Sequence, residues 1–136
     1  MTFGEAITSV LSQYARFSGR ARRSEYWYFI LFEIMISVAL GLVLGMIGAK
    51  ESVIDSVSGL LSLALLLPGL SVTWRRLHDI GKSGANYFWI FLPVFGQILL
   101  LIWVCRAGET GPNRYGPDPK HPEPTYGGEE RAPWEY

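Results

Sequence analysis

The sequence predicts an all-α integral membrane helical bundle: three transmembrane helices, preceded by an amphipathic N-terminal helix and followed by a disordered C-terminal tail. Three observations carry that expectation. Apolar runs at Trp27–Ala49, Val57–Trp74 and Tyr87–Val104 are parted by short charged segments, and Glu33 is the sole ionisable residue inside them. Each run approaches or passes the roughly 18 to 20 residues a helix needs to cross a hydrocarbon core of about 30 Å. Mean hydropathy of +0.21 with 18% charged residues is too apolar a balance for an ordinary soluble domain. Residues 1–120 are expected to form the membrane-embedded domain and residues 121–136 a disordered Pro/Gly-rich tail.

The N-terminal helix is read from Phe3, Ala6, Ile7, Val10, Leu11, Tyr14 and Phe17, which recur at helical spacing, with Glu5, Thr8, Ser9, Ser12 and Arg16 opposite. Thr2 with Glu5 three positions on forms a capping-box pattern. This helix is expected to dock in the membrane interface, with packing across the spanning helices as the close rival. No basic region precedes Arg16, so a cleaved signal peptide is not expected. Gly19 then permits a change of direction before Arg20, Arg22 and Arg23, where Tyr26, Trp27 and Tyr28 suit headgroup depth.

In the first span, Ser37, Gly41, Gly45 and Ala49 form a ridge of small residues, a packing face for the second span or for another copy. Lys50 to Asp55 is a polar connection, and Pro68-Gly69 should bend the second span. Pro93 and Gly96 in the third run allow a kinked crossing or a re-entrant hairpin. From Ala107 onward, six prolines and five glycines among thirty residues, with no apolar periodicity, predict disorder.

Arg16, Arg20, Arg22, Arg23, Arg75, Arg76 and Lys82 lie on the amino-terminal side of the spans, whereas Lys50 lies in the first opposite loop. The N-terminus is therefore expected in the cytoplasm. The charge tally alone prefers a hairpin, but a hairpin puts turn carbonyls at membrane depth, so three crossings are expected.

Glu33, about 9 Å deeper than Trp27 along a helix, needs a partner or a proton. Arg75 or Arg76 is its expected ion-pair partner, with a proton relay or a ligand as the other roles open to it. The densest polar segment runs from Trp74 to Gly84. It is a helix end in which Arg75 and Arg76 reach lipid phosphates, Gly81 supplies a left-handed cap and Asn86 starts the third span. The same arginines, with Lys82 and the N–H groups around Gly81 and Gly84, are candidates for an acidic ligand, and His78 beside Asp79 for a proton carrier. Two histidines far apart and a single cysteine, Cys105, supply too few ligands for a metal site, so no metal or cofactor is expected. Basic residues placed beside apolar spans argue against nucleic acid as a partner. No nucleophile and base stand at a catalytic spacing, so an enzyme is not expected.

Phe17-Ser18-Gly19-Arg20-Ala21-Arg22-Arg23-Ser24-Glu25-Tyr26-Trp27, then Arg75-Arg76-Leu77-His78-Asp79-Ile80-Gly81-Lys82-Ser83-Gly84, and finally Gly111-Pro112-Asn113-Arg114-Tyr115-Gly116-Pro117-Asp118-Pro119 follow one another between the apolar runs. In that order they resemble the domain of unknown function 805 family of small bacterial inner-membrane proteins. Ala85-Asn86-Tyr87 stands where that family often has tryptophan directly after the Ser-Gly pair. The resemblance implies location in the bacterial inner membrane and a multi-pass topology, and no activity.

The function expected from these residues is non-catalytic. Arg20, Arg22, Arg23, Arg75, Arg76, His78, Asp79 and Lys82 are candidates for binding anionic headgroups of the bilayer, another membrane protein or a second copy. The alternative is a small transporter or proton-linked component using Glu33 and the segment Arg75 to Asp79.

Overall fold

The computed structural model of the chain describes residues 1–120, and the expected tail at 121–136 lies outside them. Helix α1 (Phe3–Ser12), α2 (Arg23–Met46), α3 (Glu51–Asp79), a 3-10 helix (Gly84–Phe91) and α4 (Phe95–Cys105) follow in chain order. No β-strand occurs among the described residues, where Asn113 and Gly116 form an isolated bridge. At 1.5 Å per residue, α2 and α3 run about 36 and 43 Å, long enough to cross a bilayer. Apart from its ends, this pair turns mostly exposed Leu, Ile, Val and Met outward, as acyl chains require in place of water.

Helix α1 begins as the capping box requires: Thr2 Oγ1 accepts from Glu5 N at 3.2 Å and the Glu5 carboxylate accepts from Thr2 N at 3.0 Å. Part of its apolar face, at Ala6, Ile7 and Val10, packs on the spanning helices, while Phe3, Leu11 and Tyr14 stay exposed. Val10 is fully buried in a cluster with Ala21, Phe29 and Val72, joined by Ile7, Tyr26, Phe32 and Leu65.

The polar connection between the spans is shorter than expected. Helix α2 ends at Met46 and α3 starts at Glu51, so Glu51 to Asp55 form the first turn of α3. Helix α3 continues through Pro68, and it also extends beyond the apolar run through Arg75, Arg76 and His78 to Asp79. Proline has no N–H, so the carbonyl four residues back, that of Ala64, loses its helical donor. The Tyr14 hydroxyl donates to this carbonyl instead. One turn on, Ser71 Oγ donates to the carbonyls of Arg16 at 2.5 Å and Gln13 at 3.2 Å, tying the chain that leaves α1 to the same helix.

The third apolar run is not one helix. Leu92 is extended (φ −83, ψ 110) before Pro93, as the proline ring demands of its predecessor, and Val94 adopts a positive φ of 62° before α4 begins. The 3-10 helix starts at Gly84, capped by Ser83, two residues before the expected start at Asn86. Gly84 lies against the Trp74 indole, and at the far end of the run the Val104 carbonyl accepts from Arg76 Nε at 3.1 Å. Both ends of the run thus meet the C-terminal end of α3, where Leu77, Leu100 and Trp103 pack with Ile80, Tyr87, Ile90 and Leu99. Helix α4, with 11 residues, rises about 16 Å, half of a hydrocarbon core. Pro93, which allows a kink or a hairpin, breaks the segment because it removes a donor and Leu92 cannot remain helical.

The small-residue ridge is also differently placed. Nothing lies within 4 Å of a side chain built at Gly41 or Gly45, so the glycines of the Ser37, Gly41, Gly45 and Ala49 ridge make no close contact with α3, and a second copy stays open as its partner. Close approach of α2 and α3 occurs instead at Gly69, where an added Cβ would lie 3.2 Å from Glu33 Oε1.

Tyr14→Phe should cost about 1 kcal/mol of stability, the net worth of one hydrogen bond. In Pro68→Ala, whose restored N–H supplies Ala64, the same substitution should cost clearly less. Thermal unfolding of the four proteins in detergent measures this coupling, and purely additive losses would contradict the Tyr14 assignment.

Candidate functional site

The polar residues converge at the C-terminal end of α3. That helix closes with a Schellman cap: Gly81, at φ 79°, donates to the His78 carbonyl at 3.0 Å and Lys82 N donates to that of Leu77 at 2.9 Å. The chain entering α2 crosses this end, with Ala21 N donating to the Arg75 carbonyl at 3.1 Å. Segment 106–118, expected to be disordered from Ala107, wraps the same end in a defined path. Glu109 N donates to the Asp79 carbonyl at 2.7 Å, and Asn113 Nδ2 to that of His78 at 2.9 Å.

Two arginines share one carboxylate at the centre. Arg20 Nε donates to Asp79 Oδ1 at 2.9 Å, and Arg76 Nη1 donates to Asp79 Oδ2. Arg76 is 0%, Asp79 2% and Arg20 8% exposed. A lone carboxylate leaves one positive charge and most guanidinium N–H groups unmatched, and main-chain carbonyls fill that need. Arg20 donates to the carbonyls of Glu109 and, at 2.6 Å, Gly111; Arg76 donates to those of Val104, Ala21 and Arg106. Gly108 lies so close to Asp79 that a Cβ there would collide with the carboxylate.

Beside this clasp, His78 Nδ1 is 3.0 Å from the Gly19 carbonyl, to which it donates, and its ring stacks on Tyr115 at 3.9 Å with planes 2° apart. The Arg114 guanidinium covers the other partner of the stack, 4.7 Å from the Tyr115 centroid. A second buried pair joins Arg75 Nη1 to Glu25 Oε1 at 2.9 Å, and Ser9 Oγ donates to the same oxygen at 2.9 Å, so α1, α2 and α3 meet there.

Glu33 is thus not the partner of Arg75 or Arg76. In an antiparallel pair, residue 75 stands level with residue 25 and residue 69 with Glu33, so Glu33 sits about 12 Å along the helix from the Arg75 level. Nor are Arg20, Arg75, Arg76, His78 and Asp79 offered to headgroups, because burial commits them to carboxylates, carbonyls and a ring. Arg22 and Lys82 are partly exposed and Arg23 is exposed. The Lys82 ammonium lies 4.7 Å from the Trp103 ring, and Arg23 Nη1 donates to the Cys105 carbonyl at 3.4 Å.

Glu33 lies instead on a cavity of about 410 Å³ between α2, α3 and the broken third segment. Tyr26, Ser37, Ser62, Thr73 and Tyr87 supply its other polar groups, and leucine and isoleucine side chains half of its wall. Among the described residues Glu33 makes no ion pair and accepts no hydrogen bond, and no three His, Cys, Asp or Glu side chains gather to hold a metal ion. Ser37, Ser62 and Leu66 on the wall are exposed, so the cavity opens sideways at the seam of α2 and α3. Sequence reasoning missed the hydroxyl-bearing lining and the carbonyl acceptors of segment 106–118. The second had a signal: more basic residues beside one helix end than carboxylates to match them, followed by a stretch rich in proline, which accepts but does not donate.

The family model described as protein of unknown function (DUF805) matches residues 14–117, from the tyrosine that reaches Ala64 to the last turn of the clasp. The inner membrane protein YhaI of Escherichia coli (strain K12) is 42% identical over 112 residues, covering 82% of this chain and 92% of its own length. The inner membrane protein YhaH of the same organism is 40% identical over 115 residues, covering 82% of this chain and 93% of its own. No solved structure matches. The chain belongs to the DUF805 family, and it is a membrane protein of unknown function.

Asp79→Asn should destabilise the fold by about 3 to 5 kcal/mol, because it leaves two buried guanidinium groups without their anion. Glu33→Gln removes no ion pair and should change stability far less. Unfolding midpoints in detergent compare the two, and equal losses would contradict the clasp.

Proposed function

We propose that this DUF805 protein is a non-catalytic, multi-pass component of the bacterial inner membrane that holds a lipid-soluble molecule in the cavity around Glu33. Helices α2 and α3 cross the bilayer, the third segment enters to about half depth and returns, and both residue 1 and residue 120 face the cytoplasm. The excess of Arg and Lys at the clasp end supports that orientation, as do the printed names of YhaI and YhaH for the location.

The observation that carries the binding role is the cavity: about 410 Å³, within the size range of small-molecule sites, mostly apolar, with one carboxylate and open toward acyl chains. The arginine motifs then serve as the structural clasp of the bundle, with Arg22, Arg23 and Lys82 at its rim left for anionic headgroups or a partner. A transport or proton-linked role is the second reading, favoured by the unpaired state of Glu33 among the described residues.

Reporters active on only one side of the membrane, fused after residue 120 in place of the tail and separately at the N-terminus, should both report the cytoplasm; opposite signals would restore a full third crossing. For the cavity, the wild-type protein purified in mild detergent should retain a bound amphiphile detectable by native mass spectrometry, and Ser62→Trp, which fills the opening, should lose it. Retention by Ser62→Trp would count against the cavity. Proton flux in reconstituted vesicles that disappears in Glu33→Gln would favour transport.

A further inference from the structure

We infer that the ligand of the Glu33 cavity is a lipophilic ammonium, a molecule with a protonated amine on an alkyl or aryl body; this deepens the binding role proposed above and rests on it. Charge complementarity points there. Glu33 lies ten residues into α2, about 15 Å from its start, where a carboxylate facing acyl chains is costly without a counter-charge. The chain supplies none among the described residues: Arg75 is bound to Glu25, and Arg20 and Arg76 to Asp79. The counter-charge must come with the ligand or as a proton.

The surroundings select among cations. A divalent metal ion needs several oxygen ligands, and the described residues gather no carboxylates around Glu33 to provide them. An ammonium needs one carboxylate and a few neutral acceptors, which Tyr26, Thr73, Ser37 and Tyr87 can supply, while the two tyrosine rings favour a cation over their faces. Gly69 contributes to the fit. A side chain there would press within 3.2 Å of Glu33 Oε1, so its absence keeps the carboxylate accessible from the α3 side. The leucine and isoleucine walls suit the apolar body, and the exposed seam at Ser37 and Ser62 gives entry from the bilayer. Anionic amphiphiles meet like charge.

The test uses the full chain in a neutral maltoside detergent, with dodecylammonium, dodecanol and dodecanoate as probes and calorimetry as readout. Dodecylammonium should bind at least about tenfold more tightly than dodecanol, a difference of about 1.4 kcal/mol, and dodecanoate most weakly. Glu33→Gln should reduce dodecylammonium to the level of dodecanol, and Glu33→Asp should retain the preference, which separates loss of charge from misfolding. Should the ammonium and the alcohol bind alike and respond equally to Glu33→Gln, the ammonium inference fails while the cavity stands. Should no probe bind wild type or differ in Ser62→Trp, both fall. Nanodiscs distinguish the source: competition by phosphatidylethanolamine over phosphatidylcholine assigns the ammonium to a lipid headgroup, its absence to a free amine, and either outcome supports the ammonium.

Discussion

One carboxylate held between two guanidinium groups organises this protein. Asp79 ends α3, Arg76 lies one turn before it and Arg20 arrives from the chain that leads into α2. Buried charges of this kind are costly to desolvate, and they become favourable only when the remaining donors are satisfied. Here the satisfaction comes from carbonyls of residues 21, 104, 106, 109 and 111, which draws the end of α4 and the proline-rich segment onto the same helix end. Arg75 and Glu25 form a second buried pair toward α1, joined by a serine hydroxyl on the same carboxylate oxygen, but here Arg75 Nε and Nη2 have no hydrogen-bond partner among the described residues. The bundle is therefore fastened at one end by polar groups and elsewhere by apolar contact.

That division explains why the cavity lies where it does. At the fastened end, α3, the 3-10 helix and α4 pack together around Leu77 and Trp103. Because the third segment breaks at Pro93 and both its ends meet the C-terminal end of α3, α2 and α3 continue alone toward Met46 and Glu51. The cavity forms in the transition between the two regimes, with Tyr87, Ile90 and Leu100 contributed by the broken segment and Ser62, Leu65 and Ser37 by the pair that goes on. The proline in α3 sits at the same height, and the hydroxyl of Tyr14 compensates the helix there.

Periodicity and composition made the long helices, the capping box, the Gly81 cap and the membrane location legible, since each depends on residues near one another in the chain. What depended on long-range pairing was not legible. Glu33 was the conspicuous acid, yet Arg75 found Glu25, because register between antiparallel helices cannot be read from either helix alone. Segment 107–118 has the composition of a disordered linker, and its order comes from a buried arginine about ninety residues earlier in the chain, Arg20, that requires carbonyl oxygens. The arginines themselves read as headgroup ligands because a basic cluster at a membrane boundary has the same composition whether it points outward or inward.

The span in sequence between Arg20 and its acceptor at Gly111 has a consequence for biosynthesis. A ribosome delivers Arg20, both long hydrophobic helices and Asp79 well before it delivers the carbonyls that accept the remaining guanidinium donors. During that interval Arg20 and Arg76 must stay hydrated at the water boundary, and the nascent pair can settle in the bilayer only as an unfinished hairpin. Maturation is completed by the last-made stretch of the domain, so a chain cut short before residue 111 would leave Arg20 without its carbonyl acceptors and become a target for membrane quality-control proteases.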